Sequence, residues 1–262
     1  MKKLALLGCG NMGTAIALGV SKHQHGIHVF TYDPDHKKSL ELADRISGTA
    51  VKSYEELKEC DAFLLACKPQ QFKELATQLK KHLSSESLVL SIMAGVSTKT
   101  LSAALPAKKL VRVMPNTPCL IGKGVCGIYA LGLSESEEKE VHALFSPISK
   151  TYAFSSDDEI DKVTAITGSG PAYVFEFARV LSKAFSQMGI AAEKAEDMVK
   201  QLFVGSSALM QEAEESIETL RNQVTSKGGT TEAALNTLHE TQFEDMLTAA
   251  TQSAYKRAKE LS

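Results

Sequence analysis

Apolar residues along this chain recur in two rhythms, and the change falls near Asp157. Before it, short apolar runs predict strands at Lys3 to Gly8, His28 to Tyr32, Ala62 to Cys67, Leu88 to Ile92, Leu110 to Met114 and Val125 to Ala130. Between these runs the spacing predicts helices over Asn11 to His23, Pro34 to Ala43, Gln71 to His82, Thr98 to Ala104 and Ser134 to Phe145. Strands alternating with helices imply a parallel sheet covered on both faces. After Asp157 the apolar spacing is helical throughout, over Ala172 to Met188, Glu193 to Glu214, Thr231 to Leu238 and Phe243 to Lys259. The expected class is α/β: a nucleotide-binding type of sheet in residues 1–155, then an all-helical domain in residues 156–262. Pro147 and the acidic run Ser155 to Asp161 mark the junction. No repeat or low-complexity segment interrupts either half.

The helical half carries more apolar surface than it can hide. Phe175, Phe177, Val180, Leu181 and Phe185 occupy more than one face of a single helix. A helical interface between two copies is therefore expected. Composition narrows the function further. A formal net charge of −2 implies no broad basic surface for nucleic acid or anionic lipid. No apolar run approaches the roughly 20 residues that span a bilayer. Met1-Lys2-Lys3 followed by Leu4 to Leu7 begins like a signal peptide, but the run stops at Gly8 and reads as a first strand. The five cysteines, Cys9, Cys60, Cys67, Cys119 and Cys126, have no Cys-x-x-Cys spacing, which fits reduced thiols and a cytoplasmic location. His23 and His25 are joined by no carboxylate or thiol pattern, so no metal is expected.

Two glycine motifs carry the chemistry. Gly8-Cys9-Gly10-Asn11-Met12-Gly13 has Gly-x-Gly-x-x-Gly spacing between a strand and a helix. The first glycine permits the tight turn, the second lets backbone approach a pyrophosphate, and the third packs helix on strand. Its bland alternative is an ordinary tight βα turn. Asp33 ends the second strand, where a carboxylate bonds the ribose hydroxyls of NAD and repels the 2′-phosphate of NADP. His36, Lys37 and Lys38 follow and offset that repulsion, so NADH and NADPH both stay open; otherwise Asp33 is a helix cap before Pro34. Ala66-Cys67-Lys68-Pro69, Ala94-Gly95 and Asn116 end further strands, at the edge where ligands of open α/β sheets gather. Lys68 is otherwise a solvated loop lysine. The second motif is Ser226-Lys227-Gly228-Gly229-Thr230-Thr231, just before a helix. A helix N-terminus offers unpaired N–H groups and partial positive charge, so this loop suits a small carboxylate. Alone it would be a capped turn.

These segments, with Met114 to Pro118 and Gly168-Ser169-Gly170-Pro171-Ala172-Tyr173, resemble those of the pyrroline-5-carboxylate reductase family, in the same order along almost the whole chain. The resemblance implies a Rossmann dinucleotide-binding domain followed by an all-helical dimerisation domain. It implies reduction of L-1-pyrroline-5-carboxylate to L-proline by NADPH or NADH, and dimers that assemble into larger rings such as decamers. By match of motif, Thr231 is the hydroxyl near the substrate ring nitrogen. Ser226, Gly228, Gly229 and Thr230 fall on the carboxylate loop. Two residues depart from the family's pattern: Lys227 stands where the family usually has proline, and Asp33 falls where NADP-using members tend to carry a small hydroxylated residue. Gly168 to Pro171 reads physically as a helix break restarted by Ser169. A related reductase of another cyclic imine or a β-hydroxyacid is the alternative enzyme. The lysine that hydroxyacid enzymes carry soon after those glycines is missing, and Lys183 lies too far along. A non-catalytic nucleotide sensor is the third reading, against which the intact glycine–threonine loop counts.

Overall fold

The structure, a computed structural model, describes residues 1–24 and 26–261. His25, considered above beside His23, lies outside the described residues. Among them are eight strands: β1 (Lys3–Leu7), β2 (His28–Tyr32), β3 (Thr49–Ala50), β4 (Ala62–Leu65), β5 (Leu88–Ser91), β6 (Lys109–Met114), β7 (Gly124–Leu131) and β8 (Ser149–Phe154). They form one sheet in the order β3-β2-β1-β4-β5-β6-β7-β8. The helices are α1 (Asn11–His23), α2 (His36–Ile46), α3 (Phe72–Leu79), α4 (Thr98–Ala104), α5 (Glu135–Phe145), α6 (Asp157–Val163), α7 (Gly170–Gln187), α8 (Ala192–Glu212), α9 (Ile217–Gln223), α10 (Thr230–Glu240) and α11 (Phe243–Leu261).

Side chains alternate across a strand, and here both faces are buried. Leu4 and Leu6 of β1 face one core with α1, α2 and α5, through Ile16, Val20, Leu42, Ile46 and Phe145. Ala5 and Leu7 face the other with α3 and α4, through Phe72, Leu75, Leu79 and Leu101. Ala62 and Leu64 of β4 continue the first face, Phe63 and Leu65 the second. Each fully buried leucine of this kind contributes roughly 1.5–3 kcal/mol. β1 to β6 pair in parallel.

The expectation of a wholly parallel sheet needs correction at β7, which runs antiparallel to β6 with Met114 opposite Gly127. The segment between Met114 and Gly124 is a short turn around the 3-10 helix Thr117–Ile121, closed by Gly122 in the left-handed region. It is shorter than the dozen or so residues that a parallel crossover needs. β8 then lies parallel to β7. β3, β8, α6 and α9 were not anticipated. α2 starts at His36, not Pro34, and its cap is Asp35, whose side chain accepts from the Lys37 amide.

The acidic run Ser155 to Asp161, at the expected junction, is a packed element. Ser156 caps α6, and Asp157, Asp158 and Glu159 fill its first turn, where carboxylates suit the helix dipole. A π-helical turn, Thr164–Gly168, follows, with the Ser169 amide on Thr164 O at 2.9 Å. The chain forms two compact units, residues 1–169 with the end of α11 from Ser253, and residues 170–252. In the second unit Phe177 packs edge-on against Phe203 at 5.9 Å. No residue of α7 is buried, and Phe175 is 67% exposed. No helix among the described residues is long and apolar enough to cross a membrane.

Candidate active site

Strand order reverses between β1 and β4, and a cleft of 670 Å³ opens at the ends of these strands and of β2. This is the switch point at which open α/β sheets hold ligands. Gly8 leaves β1 with φ +112°, and a Cβ there would stand 2.6 Å from Ala66 O. A Cβ on Gly13 would stand 2.3 Å from Gly8 O. Gly10 differs: nothing lies within 4 Å of its missing Cβ. The first and third glycines are thus demanded by packing, and the second leaves open space. Gly10 is the N-cap of α1 with no side-chain cap, and the first helical bond is Thr14 N to Gly10 O at 2.9 Å. The amides of Asn11, Met12 and Gly13 are therefore available to an anion, as phosphate-binding helix ends require. These groups fit a dinucleotide pyrophosphate.

Asp33 lines the same cleft. Its Oδ2 accepts the Cys9 amide at 2.8 Å, and its Oδ1 accepts the Asp35 amide at 2.9 Å. Cys9 is buried, and burial followed by the Asp33 charge pushes its thiol up to about 12. It stays a protonated packing group beneath the loop. Ala66, Cys67 and Lys68 also line the cleft, while Pro69 opens the 3-10 turn behind it. Burial pushes the Cys67 thiol up to about 11. All five cysteines are free thiols.

Ala94, Gly95 and Asn116 are not among the residues that line this cleft. Ala94 packs beside Met114, Ile160 and Val163. Gly95 has φ +71°, and a Cβ there would stand 2.4 Å from Leu261 Cβ, so its bare face receives the end of α11. Asn116 is 9% exposed. Its Nδ2 donates to Thr167 O at 3.1 Å and its Oδ1 accepts the Val125 amide at 2.9 Å. The side chain thus ties the β6 end to β7 and the π-helical turn. Sequence reasoning missed Tyr32, Tyr54, Asp35 and Gln71 as cleft residues. Asp35 and Gln71 flank named motifs, but the Tyr32–Tyr54 ring contact at 4.6 Å is a long-range event with no local signal.

The second glycine motif opens α10 in the other compact unit. Gly228 has φ +74°, which the turn requires. Its amide donates to Glu232 Oε2 at 2.6 Å, and the Gly229 amide to Ser226 O at 3.0 Å. The Gly228 and Gly229 amides are therefore already paired within the turn. The first helical bond runs from Ala233 N to Gly229 O at 3.2 Å, leaving the amides of Thr230, Thr231 and Glu232 as donors. Glu232 was missed, although an acidic residue in a first turn is a readable signal. A Cβ on Gly229 would stand 2.4 Å from Ser226 Oγ, so the glycine lets that hydroxyl lie over the turn.

Fold and cleft together define an oxidoreductase of the Rossmann type. Residues 3–95 match the family described as NADP oxidoreductase, coenzyme F420-dependent, and residues 157–261 match pyrroline-5-carboxylate reductase dimerisation. The chain belongs to the pyrroline-5-carboxylate reductase family, and is an NAD(P)H-dependent oxidoreductase of the kind that makes proline. It is 34% identical to the pyrroline-5-carboxylate reductase of Haemophilus influenzae, over 99% of this chain and 97% of that one. The solved pyrroline-5-carboxylate reductase of Coxiella burnetii matches with a TM-score of 0.92 and 30% identity, over 99% of this chain and 98% of that one. The Plasmodium falciparum pyrroline carboxylate reductase, solved with NADP bound, matches with a TM-score of 0.85 and 29% identity, over 99% and 97% of the two chains. The dimerisation region matched in this chain implies self-association, with which the uncovered apolar faces of α7 and α8 agree.

Proposed function

We propose that this chain reduces L-1-pyrroline-5-carboxylate to L-proline with the substrate carboxylate held at the start of α10. The observation that carries this reading is the set of amides at Thr230, Thr231 and Glu232, left without acceptors behind a turn that Gly228 and Glu232 close. Those donors and the helix dipole suit a carboxylate. Lys227, exposed beside them, adds positive charge where the family carries a proline. NADPH or NADH supplies the hydride. The residues for the dinucleotide are Gly8 to Gly13, Asp33 and Ala66 to Lys68; Pro69, Ala94, Gly95 and Asn116 shape the loops around them.

A cyclic imine needs little acid–base machinery. Holding two reactants in register removes roughly 7–11 kcal/mol of barrier. The imine nitrogen enters partly protonated, and the Thr231 hydroxyl, which has no acceptor among the described residues, orients it. A threonine hydroxyl is a poor acid, so Thr231 serves by orientation. The functional division follows the sequence, with residues 1–155 for the cofactor and 156–262 for substrate and self-association. The region matched to the dimerisation family begins at residue 157, in keeping with this. The working form is a cytoplasmic homodimer, able to assemble into a decamer. Purified chain with pyrroline-5-carboxylate and reduced cofactor should yield L-proline with matching loss of absorbance at 340 nm. Cofactor binding without turnover would overturn the substrate assignment.

A further inference from the structure

Asp33 lines the cleft at the end of β2, the position from which an acidic residue of this fold bonds an adenosine ribose, and its carboxylate is held in place. Its two oxygens accept the Cys9 amide at 2.8 Å and the Asp35 amide at 2.9 Å. Swinging the carboxylate aside would strand two backbone donors, one of them inside the glycine turn that holds the pyrophosphate. The basic residues that follow offer little relief. His36 Nδ1 lies 3.0 Å from Ser39 Oγ, Lys37 Nζ lies 3.8 Å from Glu41, and Lys38 Nζ lies 3.7 Å from Asp35. Of these three only Lys38 lines the cleft, and Asp35 stands between it and a free charge. Lys68 and Glu74 line the cleft as well. Three carboxylates thus face two ammonium groups, and the cleft wall holds no arginine to grip a phosphate bidentately.

A ribose 2′-hydroxyl can donate to a fixed carboxylate, whereas a 2′-phosphate brings about −1.5 to −2 charges against it. From this we infer that Asp33 sets cofactor choice, and that this chain takes NADH in preference to NADPH. The inference rests on the dinucleotide reading of the cleft.

Isothermal titration of the full chain with NADH and with NADPH tests it without turnover. The expected result is NADH binding at least tenfold tighter. Asp33→Asn keeps an oxygen for the Cys9 amide and removes the charge; it should shrink the ratio at least tenfold, chiefly by tightening NADPH. Asp33→Ser should act in the same direction. Should either variant fold poorly, ADP-ribose against its 2′-phosphate on the unaltered chain reads the same preference. NADPH bound as tightly as NADH, or a ratio indifferent to Asp33→Asn, would overturn the inference while leaving the cleft a dinucleotide site. Failure to bind either would remove the dinucleotide reading itself.

Discussion

Arg112 Nη2 donates to Asp161 Oδ1 at 2.5 Å, with the arginine side chain 0% exposed and the aspartate 5%. Nη1 reaches Asp157 Oδ1 at 3.2 Å, and Asp157 also accepts the Thr98 amide at 3.0 Å. One guanidinium from β6 thereby joins α6 and the start of α4. Among the described residues its Nε finds no acceptor. A buried pair can be costly to form, yet removing one partner strands the other. Arg112→Met should lose about 3–5 kcal/mol of stability, read from urea unfolding at fixed protein concentration. The double variant Arg112→Met/Asp161→Leu should lose distinctly less. Equal losses would mean the pair is not the element that matters.

The glycine turn gives a sharper contrast. Gly13→Ala forces a Cβ against Gly8 O, for which the backbone must move; it should lower stability by about 1–3 kcal/mol or more. Gly10→Ala meets no protein atom, and should change stability by less than about 1 kcal/mol. It should still weaken reduced-cofactor binding at least tenfold, because its methyl would occupy the space open to the pyrophosphate. Thermal melts and titrations of the two variants separate packing from binding. Normal cofactor affinity in Gly10→Ala would move the pyrophosphate elsewhere.

One carboxylate outside the site sets a pH dependence. Glu137 accepts the Ser134 amide at 2.8 Å and pairs with Lys109 at 2.9 Å. The backbone bond first and the lysine second hold its carboxyl down to about 2. The unfolded value is about 4.3. A depressed folded value means stability present above the unfolded one and lost as pH falls through the folded one. The stability difference between the unaltered chain and Glu137→Gln should therefore be steady above about pH 5 and shrink between about pH 4.3 and 2. Urea midpoints across that range check this, and a difference independent of pH would contradict it.

What the sequence made legible followed from local physics. β1, β2 and β5 are short apolar runs, and α1 and α4 carry helical spacing, so both kinds declared themselves. Gly8 and Gly13 were readable because their spacing encodes a turn. β8 was not: Ser149–Phe154 is an edge strand with half its residues exposed and no apolar–polar alternation in SKTYAF to read. α6 reads in the sequence only as an acidic junction, because the partner of its carboxylates is Arg112, more than forty residues earlier. Gly95 and Asn116 are legible as strand-end residues, but the protein contacts they make are not. Their contacts with Leu261, Val125 and Thr167 are tertiary and leave no local trace.

The measurement closest to the central claim is steady-state reduction of pyrroline-5-carboxylate by Thr231→Ala, alongside its cofactor Kd. If the start of α10 holds and orients the substrate, kcat falls at least tenfold, Thr231→Ser recovers part of it, and cofactor Kd is unchanged. An unaltered kcat in Thr231→Ala would take this helix terminus out of the reaction.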